Sequence, residues 1–187
     1  MNENKIFMSH SVNEKEIAIL LQEGITDLFL KTVDVFVSSD NDSLIGGEKW
    51  LDKIITELKD SDIVLVLASK NSIKKPWINF EAGGGYFLDR LVIPLCYNGM
   101  NKSDLPEPLS SLHARDMENF EDFKNIFNDI SKHLEIGIPK EKDIEEYYEK
   151  FIEILKQSSI EQDDTEENYE ETDESTSDGD EKLNALF

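Results

Sequence analysis

Ile63-Val64-Leu65-Val66-Leu67-Ala68 is a run of six apolar residues with no polar interruption. A strand with one wet face alternates apolar and polar residues. A strand covered on both faces, as in a parallel sheet, reads as a continuous apolar run. Three further runs are nearly continuous in the same way: Lys5–Met8, Val33–Val37 and Leu91–Cys96. Between them lie helical patterns. Ile17, Leu20, Leu21, Ile25 and Leu28 recur at three- and four-residue spacing, with Ser11 and Glu14 placed to form a capping box ahead of them. Leu51, Ile54, Ile55 and Leu58 repeat the pattern, and Pro76 suits the first position of a third helix reaching about Leu88. The order β-α-β-α-β-α-β implies right-handed crossovers and a parallel sheet with helices on both faces.

A fifth short strand is expected near His113–Met117, then a helix marked by Phe120, Phe123, Phe127, Ile130 and Leu134. Ile144, Tyr147, Tyr148, Phe151, Ile152 and Leu155 mark a last amphipathic helix after Pro139. The expected organisation is a domain over 1–135, a C-terminal amphipathic helix over 136–158 and a disordered acidic tail over 159–187. The tail prediction rests on composition. Of the net charge of −22 in 187 residues, half comes from Glu161–Phe187, where twelve acids stand against Lys182 alone. Such a segment has little to bury.

The charge also excludes function classes. A strongly acidic chain repels phosphate backbones, so direct nucleic-acid binding is not expected. No run of 18 apolar residues and no secretory signal is visible, and Cys96 is the only cysteine. These features fit a cytoplasmic protein in a reducing compartment, with no membrane partner and no disulfide framework. Cys96 itself, inside an apolar strand, is expected to be an inert core thiol, and Trp50 is expected to belong to the core.

Familiar motifs are missing. There is no GxxxxGK[ST], no GxGxxG after the first strand and no GxSxG. His10, His113 and His133 are scattered without metal spacing, and Asp40 and Asp42 begin a calcium-loop pattern that fails at Leu44 and Ile45. A phospho-receiver would carry an acid at the end of the third strand, where Leu67, Ala68 and Ser69 stand.

Open parallel sheets bind ligands beyond the carboxyl ends of their strands. That rim holds Ser9, His10 and Ser11, then Ser38, Ser39 and Asp40, then Ser69, Lys70 and Asn71, then Tyr97 and Asn98. It is polar with few permanent charges and suits a hydroxyl-rich ligand such as a ribose. The third helix reads Pro76-Trp77-Ile78-Asn79-Phe80-Glu81-Ala82-Gly83-Gly84-Gly85-Tyr86-Phe87. Trp77 and Glu81 share a face, and Glu81 lies roughly 7.5 Å from the helix start, within reach of the rim. The three glycines are each unfavourable in a helix by ~1 kcal/mol against alanine, which points to close packing on the sheet.

These residues resemble a known family. Lys5-Ile6-Phe7-Met8-Ser9-His10-Ser11 is similar to the opening strand and loop of a bacterial TIR (Toll/interleukin-1 receptor) domain. Trp77-Ile78-Asn79-Phe80-Glu81 matches its WxxxE segment, Gly46-Gly47-Glu48-Lys49-Trp50 resembles the end of its BB loop, and Ile93-Pro94-Leu95 matches the strand after the glutamate helix. The likeness spans about Lys5 to His133. The Gly83-Gly84-Gly85 run departs from the commonest pattern.

The resemblance implies a flavodoxin-like α/β fold with a five-stranded parallel sheet. It implies cleavage of NAD+ at the nicotinamide–ribose bond, as many bacterial members perform in anti-phage defence. It places Glu81 as the catalytic residue and Ser9, His10, Ser38, Lys75 and Trp77 around the substrate, with the base stacked on Trp77. The pocket would lie between Ser9–Ser11, Ser38–Gly47 and Lys75–Glu81. NAD+ is then a substrate, and no cofactor or metal is needed. Homo-oligomers or filaments through TIR–TIR contacts are expected, together with a separate sensor or effector protein. The main rival is a non-enzymatic TIR adaptor acting through homotypic assembly, which a Glu81 held by its neighbours with no open cleft would favour. A third reading is a sensor that binds NAD+ without turnover.

Overall fold

A computed structural model of the chain describes residues 4–38 and 47–173. Five strands alternate with helices: β1 (Asn4–Ser9), α1 (Lys15–Leu28), β2 (Val33–Val37), α2 (Gly47–Asp60), β3 (Ile63–Ala68), α3 (Pro76–Phe87), β4 (Leu91–Cys96), β5 (Arg115–Asp116), α4 (Phe120–Leu134) and α5 (Glu141–Asp173). The strands form one parallel sheet in the order β2-β1-β3-β4-β5. This is the flavodoxin-like order that the family resemblance implies.

The apolar runs are continuous because both faces of the sheet are covered. Phe7, Val64, Val66, Ala68, Val92 and Cys96 pack in one cluster with Ile54 and Leu58 of α2 and Ile78 and Ala82 of α3. The alternate residues Ile6, Met8, Leu65, Leu67, Ile93 and Leu95 point to the opposite face and are equally buried. Cys96 is buried in that first cluster, and burial pushes its thiol up to about 11, as an inert core thiol requires. Trp50 is partly buried against the same cluster.

Three elements differ in extent from the expectation. β5 has two residues, because only Leu95 and Cys96 of β4 offer it partners. The Ser11–Glu14 cap is present, with the Ser11 amide donating to Glu14 at 2.9 Å, but it opens a 3-10 turn at Val12–Glu14 before α1 begins. α5 runs past residue 158 to Asp173, since Ser159–Asp173 contains neither proline nor glycine to stop a helix. Residues 174–187, the rest of the tail expected to be disordered, lie outside the described residues.

The chain divides into two compact units, Met1–Ile152 and Glu153–Phe187. The boundary expected at residue 135 falls inside the first unit. There the start of α5 is tied in by Tyr147, whose hydroxyl donates to the Leu20 carbonyl, and by Phe123 against Tyr148 and Phe151. Gly24 makes this possible, because a Cβ there would lie 1.9 Å from the Tyr147 ring. Gly24→Ala should therefore destabilise the domain by about 1–2 kcal/mol, the overpacking cost exceeding the gain in helix propensity. Urea unfolding of both proteins checks this, and an unchanged or raised midpoint would contradict it.

Candidate active site

The register of β1 on β2 pairs Met8 with Val37, and the Ser38 amide donates to the Met8 carbonyl at 2.9 Å. Ser9 and Ser38 therefore emerge side by side at the carboxyl edge of the sheet. α3 starts at Pro76 and brings Glu81 to the same point. The Glu81 carboxylate is fully buried. Its Oε2 accepts from the Ser9 hydroxyl and from the Ser38 hydroxyl at 3.1 Å, and its Oε1 accepts from the Trp77 indole Nε1 at 2.7 Å. Three donors converge on a group that, once ionised, can only accept. The arrangement fixes one negative charge at the sheet edge with a set orientation.

Trp77 is the hub of an aromatic row. Its ring centroid lies 4.7 Å from that of Trp50 on α2 and 4.9 Å from that of Phe80 one turn on. The indole expected to stack on a substrate base thus already has two aromatic neighbours, of which Phe80 is the exposed one.

A second buried carboxylate lies at the same edge. Glu14 Oε1 accepts from the Ser69 hydroxyl at 2.7 Å, while its Oε2 takes the Ser11 amide. Tyr97 faces Glu14 and Ser69, and burial together with the Glu14 charge drives its phenol well above its ordinary range. His10 belongs with this group. It is fully buried, and neither ring nitrogen has a hydrogen-bond partner among the described residues. Burial lowers its pKa to about 4 against the opposing pull of Glu14, so the imidazole is neutral at pH 7.

Of the residues expected around the substrate, Ser9, Ser38 and Trp77 meet at Glu81. His10 sits beside Glu14 instead, and Lys75 is exposed at the start of α3. The Ser11–Glu14 spacing predicts Glu14 only as a cap, and its meeting with Ser69 and Tyr97 is not encoded in that spacing. The segment 39–46, holding Ser39, Asp40, Asp42 and Gly46 of the expected pocket wall, lies outside the described residues. His113 and His133, far apart in sequence, line one cavity of about 390 Å³ with Asp129 and Lys132. Among the described residues no group of three His, Cys, Asp or Glu could hold a metal ion.

The family model of the TIR domain matches residues 6–130. The chain belongs to the TIR-domain family. No curated protein matches the sequence. Among solved structures, a CMP N-glycosidase from Clostridium botulinum aligns at 13% identity over 59% of this chain and 87% of its own, with a TM-score of 0.41. A likeness that distant carries no functional argument. In this TIR domain, the matched span includes the Glu81 site and every strand of the sheet but the first residues of β1. No helix among the described residues is long and apolar enough to cross a membrane.

Proposed function

We propose that this TIR-domain protein cleaves NAD+ at the nicotinamide–ribose bond. The observation that supports it is the buried carboxylate of Glu81, oriented by Ser9, Ser38 and Trp77 at the ligand-binding edge of the sheet. Nicotinamide leaves as the C1′–N bond breaks, and the electron pair goes to its ring nitrogen and cancels that atom's positive charge. The ribose becomes oxocarbenium-like, as in glycoside cleavage. A fixed anion beside the forming cation lowers the barrier without moving a proton, because the leaving group needs none. Attack by water on C1′ then gives ADP-ribose and releases one proton. Attack by an atom of the substrate itself gives a cyclic isomer. NAD+ enters this scheme as substrate, with no cofactor. The family resemblance extends the proposal to cytoplasmic anti-phage signalling with a separate sensor or effector protein.

The same geometry also favours a second reading. A Glu81 already satisfied by its neighbours is what an assembly module without turnover would show. The two readings part in one assay. The purified full chain is incubated with NAD+ from nanomolar to tens of micromolar protein, and nicotinamide is followed by chromatography. The enzyme reading expects nicotinamide release, with specific activity rising with concentration as copies complete one another's pockets through the Ser38–Gly47 segment. It expects moderate salt to help, because it screens repulsion between copies carrying −22 each. NAD+ returned intact at every concentration would favour the assembly reading.

A further inference from the structure

The cavity that holds His113 and His133 lies away from Glu81. Its floor is the amino half of β4, Leu91 to Ile93, whereas Ser9, Ser38 and Glu81 meet at the carboxyl edge of the sheet. The floor is reachable because β5 is short. β5 pairs only with Leu95 and Cys96, so the rest of β4 has no strand beside it on that side. Backbone groups alternate in direction along a strand. The Leu91 amide donates to the Asp62 carbonyl on the β3 side, and the Cys96 carbonyl accepts from the Met117 amide on the β5 side. Val92 therefore turns its N–H and carbonyl toward the open edge. The next residue with that orientation is Pro94, which has no N–H to leave unpaired. The walls carry the polar side chains. Asp129, Lys132 and His133 stand at i, i+3 and i+4 on one face of α4, and His113 comes from the loop before β5. Asp129 Oδ2 accepts from Arg115 Nε at 2.8 Å and lies 2.7 Å from Arg115 Nη2, so its charge is matched. The exposed side chains of Lys132, His113 and His133 make no hydrogen bond or ion pair among the described residues.

We infer that this cavity binds a small phosphate monoester bearing hydroxyl groups, from a sugar phosphate to a mononucleotide in size. A metal cation is a poor fit. Arg115 already matches Asp129, and two imidazoles are fewer ligands than a metal site needs; among the described residues no group of three qualifies. An anion is a good fit. Lys132 offers three N–H donors, and each imidazole offers at least one in either protonation state. A phosphate monoester has three terminal oxygens to receive them, where a carboxylate has two. The Val92 amide adds a donor at the floor, and Asp129 Oδ1, which Arg115 leaves open, can accept from a ligand hydroxyl. Leu91, Val92 and Ile93 give an apolar surface for the body of the ligand. The volume of about 390 Å³ is near the lower end of the range for small-molecule sites, which limits the occupant to this size. Two effects oppose binding. The carboxyl end of α4 carries roughly half a negative charge, which the full positive charge of Lys132 in the same turn outweighs. The net charge of −22 repels any anion at long range, so the affinity is modest, with a dissociation constant of ~0.1–1 mM. The inference does not rest on NAD+ cleavage, because the cavity shares no residue with the Glu81 site.

The chain has three histidines, and each ring gives its own signals in a proton–carbon correlation spectrum of the full chain. Ribose 5-phosphate, AMP, inorganic phosphate and ribose are titrated separately to ~10 mM at constant pH in ~50 mM salt, so that charge interactions are only partly screened. Ribose 5-phosphate and AMP should shift the His113 and His133 signals to saturation, while the buried His10 stays in place. Inorganic phosphate should bind several-fold more weakly, and ribose not at all. Tighter binding of AMP assigns the Leu91–Ile93 floor to a base, and equal binding of the two esters assigns the site to a sugar phosphate. Lys132→Glu should weaken both at least ~10-fold by reversing the one unmatched charge. His133→Gln should weaken them several-fold. Both positions are exposed, so the melting temperatures stay near that of the wild type. Glu81→Gln should leave the affinities unchanged. The absence of a saturable shift with either ester, inorganic phosphate bound as tightly as both, or affinities indifferent to Lys132→Glu would each overturn the proposal. So would a shift of His10 in place of His113 and His133, or binding lost in Glu81→Gln, either of which moves the ligand to the carboxyl edge of the sheet.

Discussion

Glu81→Gln is expected to reduce NAD+ cleavage by ~100-fold or more, the scale on which a fixed electrostatic stabiliser acts. The replacement fits the site. The amide oxygen can take the Oε1 position and accept from Trp77 Nε1. The amide nitrogen then faces Ser9 and Ser38, whose hydroxyls can turn to accept. Volume and hydrogen bonds are kept and only the charge is lost, so circular dichroism and the melting temperature should stay near those of the wild type. If NAD+ affinity is also nearly unchanged while kcat falls, the carboxylate acts on the transition state and not on binding. Wild-type turnover by the Gln variant would remove Glu81 from the catalytic role.

The second large effect concerns acid. His10 binds its proton with a pKa of about 4 in the folded protein against an ordinary value of 6.5. Between those values the unfolded chain holds more protons than the folded one, so stability must rise with pH across that window and fall as pH drops from 6.5 to 4. The difference corresponds to about 3 kcal/mol, roughly a 300-fold change in the folding equilibrium. Glu14, the nearest charge, opposes the effect only in part. His10→Gln removes the titration. Urea midpoints measured from pH 7 to pH 4 should fall more steeply for the wild type than for the variant, while carboxylates contribute equally to both. Parallel slopes would show that His10 does not carry the burden of burial assigned to it.

The sheet was legible because a strand covered on both faces leaves few polar residues in its sequence: β3 and β4 have none, β1 has them only at its ends, and β2 at the sheet edge keeps the exposed Asp34. β5 was harder to bound, since its two residues are Arg115 and Asp116, both only partly buried. The spacing puts Glu81 on the Trp77 face and within reach of the rim, but taken alone it fits a solvated helix carboxylate equally well, and only the family resemblance singles the residue out. That Ser9 and Ser38 donate to the same oxygen was not legible, because it depends on the register Met8↔Val37, which no local pattern encodes. His10 is the instructive case. Strand alternation sends successive side chains to opposite sides, so if Ser9 meets Glu81, its neighbour must go elsewhere. The Ser11–Glu14 spacing predicts a helix cap, a local role that gives no sign of Ser69 and Tyr97 arriving from the ends of β3 and β4.

Of the three glycines in α3, Gly85 is the one seated against the strands. A Cβ there would stand 2.7 Å from Val64 Cγ2 and 3.2 Å from Val92 Cγ2, where ordinary contacts lie at 3.4–4 Å. Glu81 is one turn earlier on the same rigid rod. The missing methyl group therefore works as a depth gauge: it sets how far the helix sinks onto the sheet, and so the height at which the carboxylate meets the two serines. Lifting the rod by about 1 Å, as a methyl group would demand, lengthens those hydrogen bonds beyond useful range. The reach of the acidic group is thus calibrated from the apolar interior, by a residue that touches neither serine.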